Sequence, residues 1–92
     1  MKQVSFKSNE VIFRQGEPSL VMYDIISGRV GVFADYGTKK ERIITELGKD
    51  QTLGELGMIG VYPRSATAVA LEETVLAEIG DAELDEYFNP AW

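Results

Sequence analysis

The sequence contains no cysteine and no histidine, and these two absences exclude much of the reactive chemistry that a protein domain can perform. Without cysteine there is no disulfide, thiolate zinc site, iron–sulfur cluster or cysteine nucleophile. Without histidine, the commonest metal ligand and the commonest general base are also missing. The sequence offers no carboxylate loop of the kind that holds calcium or magnesium. We therefore expect no metal site, no catalytic residues and no enzymatic activity.

Positive charge and long apolar runs are scarce as well. The chain has nine Lys and Arg residues and fifteen Asp and Glu residues, which gives a formal net charge of −6. Because a nucleic-acid backbone requires clustered Lys and Arg, we expect no nucleic-acid contact by this domain. The apolar runs are too short for a membrane-spanning helix, and the first residues lack the apolar core of a signal peptide. The sequence therefore predicts a cytoplasmic domain without membrane contact.

Short β-type runs, punctuated by turn residues, dominate what is present. The 92 residues suffice for one domain. The predicted strands are 11–14, 22–26, 29–33, 42–47, 64–71 and 74–79. Turn signals recur about every 8–12 residues, a spacing typical of a β-sandwich or barrel. Two segments break the pattern: 55–59 is predicted to form one or two helical turns, and 81–88 a short helix that Asn89-Pro90 ends.

The segment 53–67, LGELGMIGVYPRSAT, carries the candidate chemistry. Gly54 and Gly57 allow a ligand to approach the backbone closely. If Glu55 opens a short helix, the free amides of its first turn attract an anion. Arg64 offers a planar fork for phosphate oxygens, and the Glu55 carboxylate can accept a hydrogen bond from a ribose hydroxyl. These groups suit a phosphorylated sugar; the alternative is a structural turn in which Glu55 and Arg64 pair with each other.

The same segment closely resembles the phosphate-binding cassette of cyclic nucleotide-binding domains. These domains occur in catabolite activator-type regulators and in cyclic-nucleotide-dependent kinases and channels. The family pattern reads Gly-Glu-Leu, a small residue, an apolar pair, a short loop, then Pro-Arg, two small residues and Thr or another strand residue. Residues 54–59 and 63–67 match it without a gap, and the stretches 10–17 and 22–30 resemble the first hairpins of the family. The resemblance covers roughly residues 6–88.

The resemblance implies a fold and a set of ligand contacts. The fold would be all-β, a double-stranded β-helix (jelly roll) of about eight strands with short helices. Arg64 would pair with the cyclic phosphate, and Glu55 would accept a hydrogen bond from the ribose 2′-hydroxyl. The remaining ligand-binding positions would be Gly54, Leu56, Gly57, Ser65 and Ala66.

The purine of the ligand would lie against strand residues that the resemblance does not identify. The candidates are Val30, Val32, Ile44 and Val69, and each has an alternative role as a plain core residue. In the family, a hydroxyl after the arginine, here that of Ser65, is often linked with guanine contact. Several adenine-selective bacterial members nevertheless carry serine there, so Ser65 is compatible with either base. We expect cyclic AMP as the ligand, with cyclic GMP as the alternative.

Residues 1–92 are interpreted as a single cyclic-nucleotide-binding-like domain that lacks the usual N-terminal helix and the long C-terminal helix. The predicted function is regulatory: a sensor that relays ligand binding to an effector domain or partner protein in signal transduction. The alternative is an interaction or structural domain that keeps the fold and binds no nucleotide. Tyr87, Phe88 and Trp92 are expected to pack on the barrel; alternatively, they form an apolar patch that joins chains into a homo-oligomer.

Overall fold

The computed structural model of the protein describes residues 2–54 and 63–80. These residues form eight strands and no helix. The strands are β1 (Lys2–Phe6), β2 (Val11–Phe13), β3 (Met22–Ser27), β4 (Arg29–Ala34), β5 (Arg42–Gly48), β6 (Thr52–Leu53), β7 (Thr67–Ala70) and β8 (Thr74–Ile79). The all-β prediction is confirmed. The two predicted helices, 55–59 and 81–88, lie outside the described residues.

The eight strands form two four-stranded antiparallel sheets. Their orders are β1-β8-β3-β6 in one sheet and β2-β7-β4-β5 in the other. The chain changes sheet at every connection except that between β4 and β5, so sequence neighbours mostly lie in opposite layers. As a result, β8 inserts between β1 and β3, and β7 inserts between β2 and β4. This double-layered arrangement confirms the jelly roll.

One predicted strand, 64–71, is shorter in the structure, where β7 begins only at Thr67. The backbone of Arg64 is engaged elsewhere: its N–H donates to the Glu17 carbonyl at 2.8 Å, and its carbonyl accepts from the Gly16 N–H at 2.8 Å. An isolated antiparallel bridge joins Pro18 to Pro63 just before it. The turn that follows β2 therefore holds the start of this segment, so that Arg64 lies outside the sheet.

The core lies between the two sheets, where their inward-facing side chains pack together. Among its largest fully buried side chains are Ile25 and Leu76 from one sheet and Val30 from the other. Tyr23, Leu53 and Ala68 complete one buried cluster with these three residues. Burial of this apolar surface is the main contribution to stability in a domain of this size.

Replacing Leu76 with alanine is expected to lower the free energy of unfolding by about 2–5 kcal/mol, because the Leu76 side chain is fully buried and its loss leaves a cavity. Leu20 is 65% exposed, so the same substitution there should change stability by less than about 0.5 kcal/mol. Urea unfolding followed by circular dichroism measures both. Equal losses for the two variants would contradict the assigned core.

Candidate functional site

A cleft of about 540 Å³ opens beside β5 and β6 and extends to the residues that precede β7. One wall is mostly apolar and comes from the strands; it includes Val32, Leu47 and Leu53. The opposite rim is formed by the turn at Gly54 and by residues 63–66. A cavity of this volume is in the range that accommodates a small organic ligand.

A β-bulge shapes the strand wall of the cleft. In the pairing of β4 with β5, Val32 faces Thr45 and Phe33 faces Ile43, which leaves Ile44 as the extra residue. A bulge interrupts the strict alternation of side chains along a strand. Ile44 and Thr45, although adjacent in sequence, both line the cleft. The wall therefore gains an apolar side chain and a hydroxyl from consecutive positions.

Arg64 is the only arginine or lysine among the described residues that line the cleft, and it is 7% exposed. Its Nη1 donates to the Gly54 carbonyl at 3.3 Å, and its Nη2 donates to the Val21 carbonyl. The guanidinium carbon lies 4.1 Å from the centroid of the Phe13 ring, which is a cation–π contact. A guanidinium has five N–H donors, and these two bonds leave three of them. Buried Nε has no partner among residues 2–54 and 63–80.

The charge of Arg64 is poorly compensated within the described part of the chain. Burial lowers the pKa of the Arg64 guanidinium, and the weaker electrostatic interactions with Tyr23 and Glu17 oppose that shift. Burial also raises the pKa of Tyr23, which keeps this hydroxyl neutral. Arginine remains protonated under ordinary conditions. The ion pairs of the described residues, Arg29–Glu46 and Arg42–Asp35, do not include Arg64. A buried cation with few counter-charges favours the binding of an anion.

Gly54 permits the approach of Arg64 to the turn after β6. The φ angle of Gly54 is +80°, in a region that residues with a Cβ rarely adopt. A Cβ built at this position would collide with Nη1 of Arg64. Glycine is therefore required here both by the backbone conformation and by the guanidinium that lies against it.

The structure brings together every predicted site residue that it describes. Gly54, Arg64, Ser65 and Ala66 all line the cleft. The other three predicted positions, Glu55, Leu56 and Gly57, lie outside the described residues, and so does any pairing of Glu55 with Arg64. The ligand contacts assigned to all seven positions stay predictions.

The four candidate base-contacting residues divide into two groups. Val32 and Ile44 line the cleft. Val30 is fully buried in the core, and Val69 is 2% exposed and is not among the lining residues. Sequence reasoning missed other residues of the cleft: Phe13, Ser19, Thr45 and Thr52. No local motif distinguishes these four, because each reaches the cleft through strand pairing or loop packing.

Two further features are missing from the described ranges. Residues 2–54 and 63–80 contain no helix that could cross a lipid bilayer. The same residues contain no group of three or more His, Cys, Asp or Glu side chains that could hold a metal ion.

Comparison with known proteins identifies relatives over nearly the whole chain. The sequence model of the family described as the cyclic nucleotide-binding domain matches residues 3–90. The cyclic AMP receptor protein of Thermus thermophilus is 34% identical over 71 residues, which cover 77% of this chain and 33% of that protein. The cAMP-dependent protein kinase regulatory subunit of Dictyostelium discoideum is 28% identical over 95 residues, which cover 98% of this chain and 28% of that protein. The chain thus spans about a third of the length of these relatives.

Solved structures agree with this result. The cAMP-bound form of the EAL enzyme Bd1971 superposes with a TM-score of 0.82 and 30% sequence identity, over 99% of this chain and 24% of that chain. The cGMP-bound form of the same enzyme gives the same values. Bound cyclic nucleotides therefore occur in solved structures with this fold. From its sequence match, its jelly roll and these neighbours, the chain belongs to the cyclic nucleotide-binding domain family.

Proposed function

We propose that this domain is a sensor that binds cyclic AMP through a phosphate-binding cassette, in which Arg64 pairs with the cyclic phosphate. The observation that carries the proposal is the buried guanidinium of Arg64 at the rim of a largely apolar cleft, with Nε unpartnered among the described residues. Ser65 and Ala66 follow Arg64 on the same rim and would complete the cradle together with the turn at Gly54.

The electrostatics of the domain support an anionic ligand at this position. The chain as a whole carries a net charge of −6, so its general field repels anions. Arg64 offsets that repulsion locally, because charge interactions strengthen in a buried site that water reaches poorly. A phosphodiester monoanion supplies acceptor oxygens for the N–H groups that the carbonyls of Gly54 and Val21 leave unused.

The strand wall of the cleft suits a purine. Val32, Ile44 and Leu47 offer an apolar surface on which a planar base can lie, while Thr45 and Thr52 offer hydroxyls at its edge. We favour adenine because two relatives are, by name, a cyclic AMP receptor and the regulatory subunit of a cAMP-dependent kinase. Guanine is the alternative, supported by the cGMP-bound form of the EAL enzyme.

The regulatory part of the proposal rests on how the family uses the domain. Two relatives are, by name, a cyclic AMP receptor and a kinase regulatory subunit, and the domain also occurs within an EAL enzyme. In this chain, the domain would sense the nucleotide and relay its binding to an effector domain or partner protein, with no chemistry of its own. The acidic composition argues against a direct contact of this domain with nucleic acid.

Isothermal titration of the 92-residue chain with cyclic AMP, cyclic GMP and 5′-AMP tests the proposal. We expect saturable binding of cyclic AMP, weaker binding of cyclic GMP, and no detectable binding of 5′-AMP, whose phosphate is not held in the ring geometry of the cyclic diester. No heat with any of the three ligands at millimolar concentration would contradict the proposal. The domain would then be a non-nucleotide-binding interaction module.

A further inference from the structure

Ser19 is a largely buried residue at the cleft for which the phosphate-binding cassette assigns no role. Ser19 is 7% exposed and lines the cleft together with Arg64. Within residues 2–54 and 63–80, its side chain makes no hydrogen bond. Among the described residues, the fully buried side-chain atoms without a partner comprise Nε of Arg64 alone, so the Ser19 hydroxyl is accessible from the cleft. Such a group at the wall of a binding cleft points to a ligand atom as its missing partner.

The loop that carries Ser19 is fastened to the backbone of Arg64. The Glu17 carboxylate accepts from the Arg14 N–H at 2.8 Å, which closes the turn. The carbonyl of Glu17 accepts from the Arg64 N–H at 2.8 Å, and the bridge from Pro18 to Pro63 follows directly. Ser19 is the next residue after this bridge, so its position is set relative to Arg64 rather than to the apolar strand wall.

Ser19 and Arg64 therefore both line the cleft, and neither the Ser19 hydroxyl nor Nε of Arg64 has a hydrogen-bond partner among residues 2–54 and 63–80. We propose that Ser19 is a second ligand of the cyclic phosphate, whose hydroxyl donates a hydrogen bond to one exocyclic oxygen while Arg64 pairs with the phosphate charge. This inference rests on the proposed function and adds a phosphate contact from the loop between β2 and β3, outside the segment 54–67. A hydroxyl and a guanidinium are both donors, and a phosphodiester anion presents two exocyclic acceptor oxygens.

The test compares the wild-type chain with Ser19→Ala, using cyclic AMP and its two phosphorothioate diastereomers, in each of which sulfur replaces one exocyclic oxygen. We expect Ser19→Ala to weaken cyclic AMP binding about tenfold, the scale of one hydrogen bond to a charged group. Since sulfur is a poor hydrogen-bond acceptor, one diastereomer should bind the wild type more weakly than cyclic AMP does. That difference should largely disappear in Ser19→Ala, whereas the effect of the other diastereomer should be the same in both proteins.

Ser27→Ala is the matched control, because Ser27 is an exposed serine at the end of β3, and it should bind all three ligands as the wild type does. The melting temperature of Ser19→Ala should be almost unchanged, because the substitution removes a hydroxyl that makes no hydrogen bond within the described residues. Unchanged affinity in Ser19→Ala, or an equal loss for all three ligands with a lower melting temperature, would overturn the inference while the proposed function stands. Failure of the wild type to bind any cyclic nucleotide would overturn both.

Discussion

Replacing Arg64 with alanine is expected to weaken cyclic AMP binding by about 30- to 700-fold, which corresponds to about 2–4 kcal/mol. The loss is large because the ligand phosphate would remain desolvated without its cationic partner. The structure adds a second expected effect. The Arg64 side chain donates to the carbonyls of Gly54 and Val21 and covers the Phe13 ring, so its removal should also lower the free energy of unfolding by about 1–3 kcal/mol. Titration calorimetry and urea unfolding measure the two effects separately.

Two further variants separate the role of the guanidinium from that of charge alone. Arg64→Lys keeps the positive charge but loses the planar fork, so we expect an affinity and a stability between those of the wild type and Arg64→Ala. Arg42→Ala removes the same charge from a side chain that is 71% exposed, and it should leave both quantities almost unchanged. If Arg64→Ala bound cyclic AMP as tightly as Arg42→Ala does, Arg64 would be a structural residue of the rim and not a phosphate ligand.

Replacing Gly54 with alanine is expected to weaken cyclic AMP binding by about tenfold or more and to destabilise the domain by about 1–3 kcal/mol. Two physical effects combine at this position. The φ of +80° is unfavourable for alanine, and the added Cβ would occupy the place of Nη1 of Arg64. Because the colliding atom is the end of a long side chain, the collision can be relieved by displacing the guanidinium. We therefore expect the loss of affinity to arise from displacement of the Arg64 guanidinium.

Gly37 provides the matched control for Gly54. Its φ is +83°, almost the same value, but a Cβ at Gly37 would meet no atom within 4 Å. Gly37→Ala should thus cost about 1 kcal/mol of stability from the backbone conformation alone and leave the affinity for cyclic AMP unchanged. Calorimetric titration of both variants makes the comparison. Equal affinity losses would show that backbone strain, and not contact with Arg64, explains the effect at Gly54.

Much of the fold was predictable from the sequence because its signals are local. β3, β4, β5 and β8 were predicted to within about a residue at each end, since apolar strand residues and turn residues such as Gly28 mark their limits in the sequence. The two strands that were not predicted, β1 and β6, carry weak local signals in the sequence. β1 is mostly exposed at an edge, and β6 has only two residues and depends on its pairing with β3.

For the site, the sequence alone predicted the segment 54–67 and Arg64 as its cation, because the residue types and spacing there resemble a known phosphate-binding pattern. Only the tertiary structure decided how Arg64 is held and which residues share its cleft. Its partner Val21 lies 43 residues away along the chain, and Ser19 has no motif of its own. Likewise, the bulge that directs Ile44 and Thr45 into the cleft arises from the register of β5 against β4. Local patterns report which structure a segment favours, whereas burial, register and the contacts of a side chain depend on residues that are distant in sequence and meet only after folding.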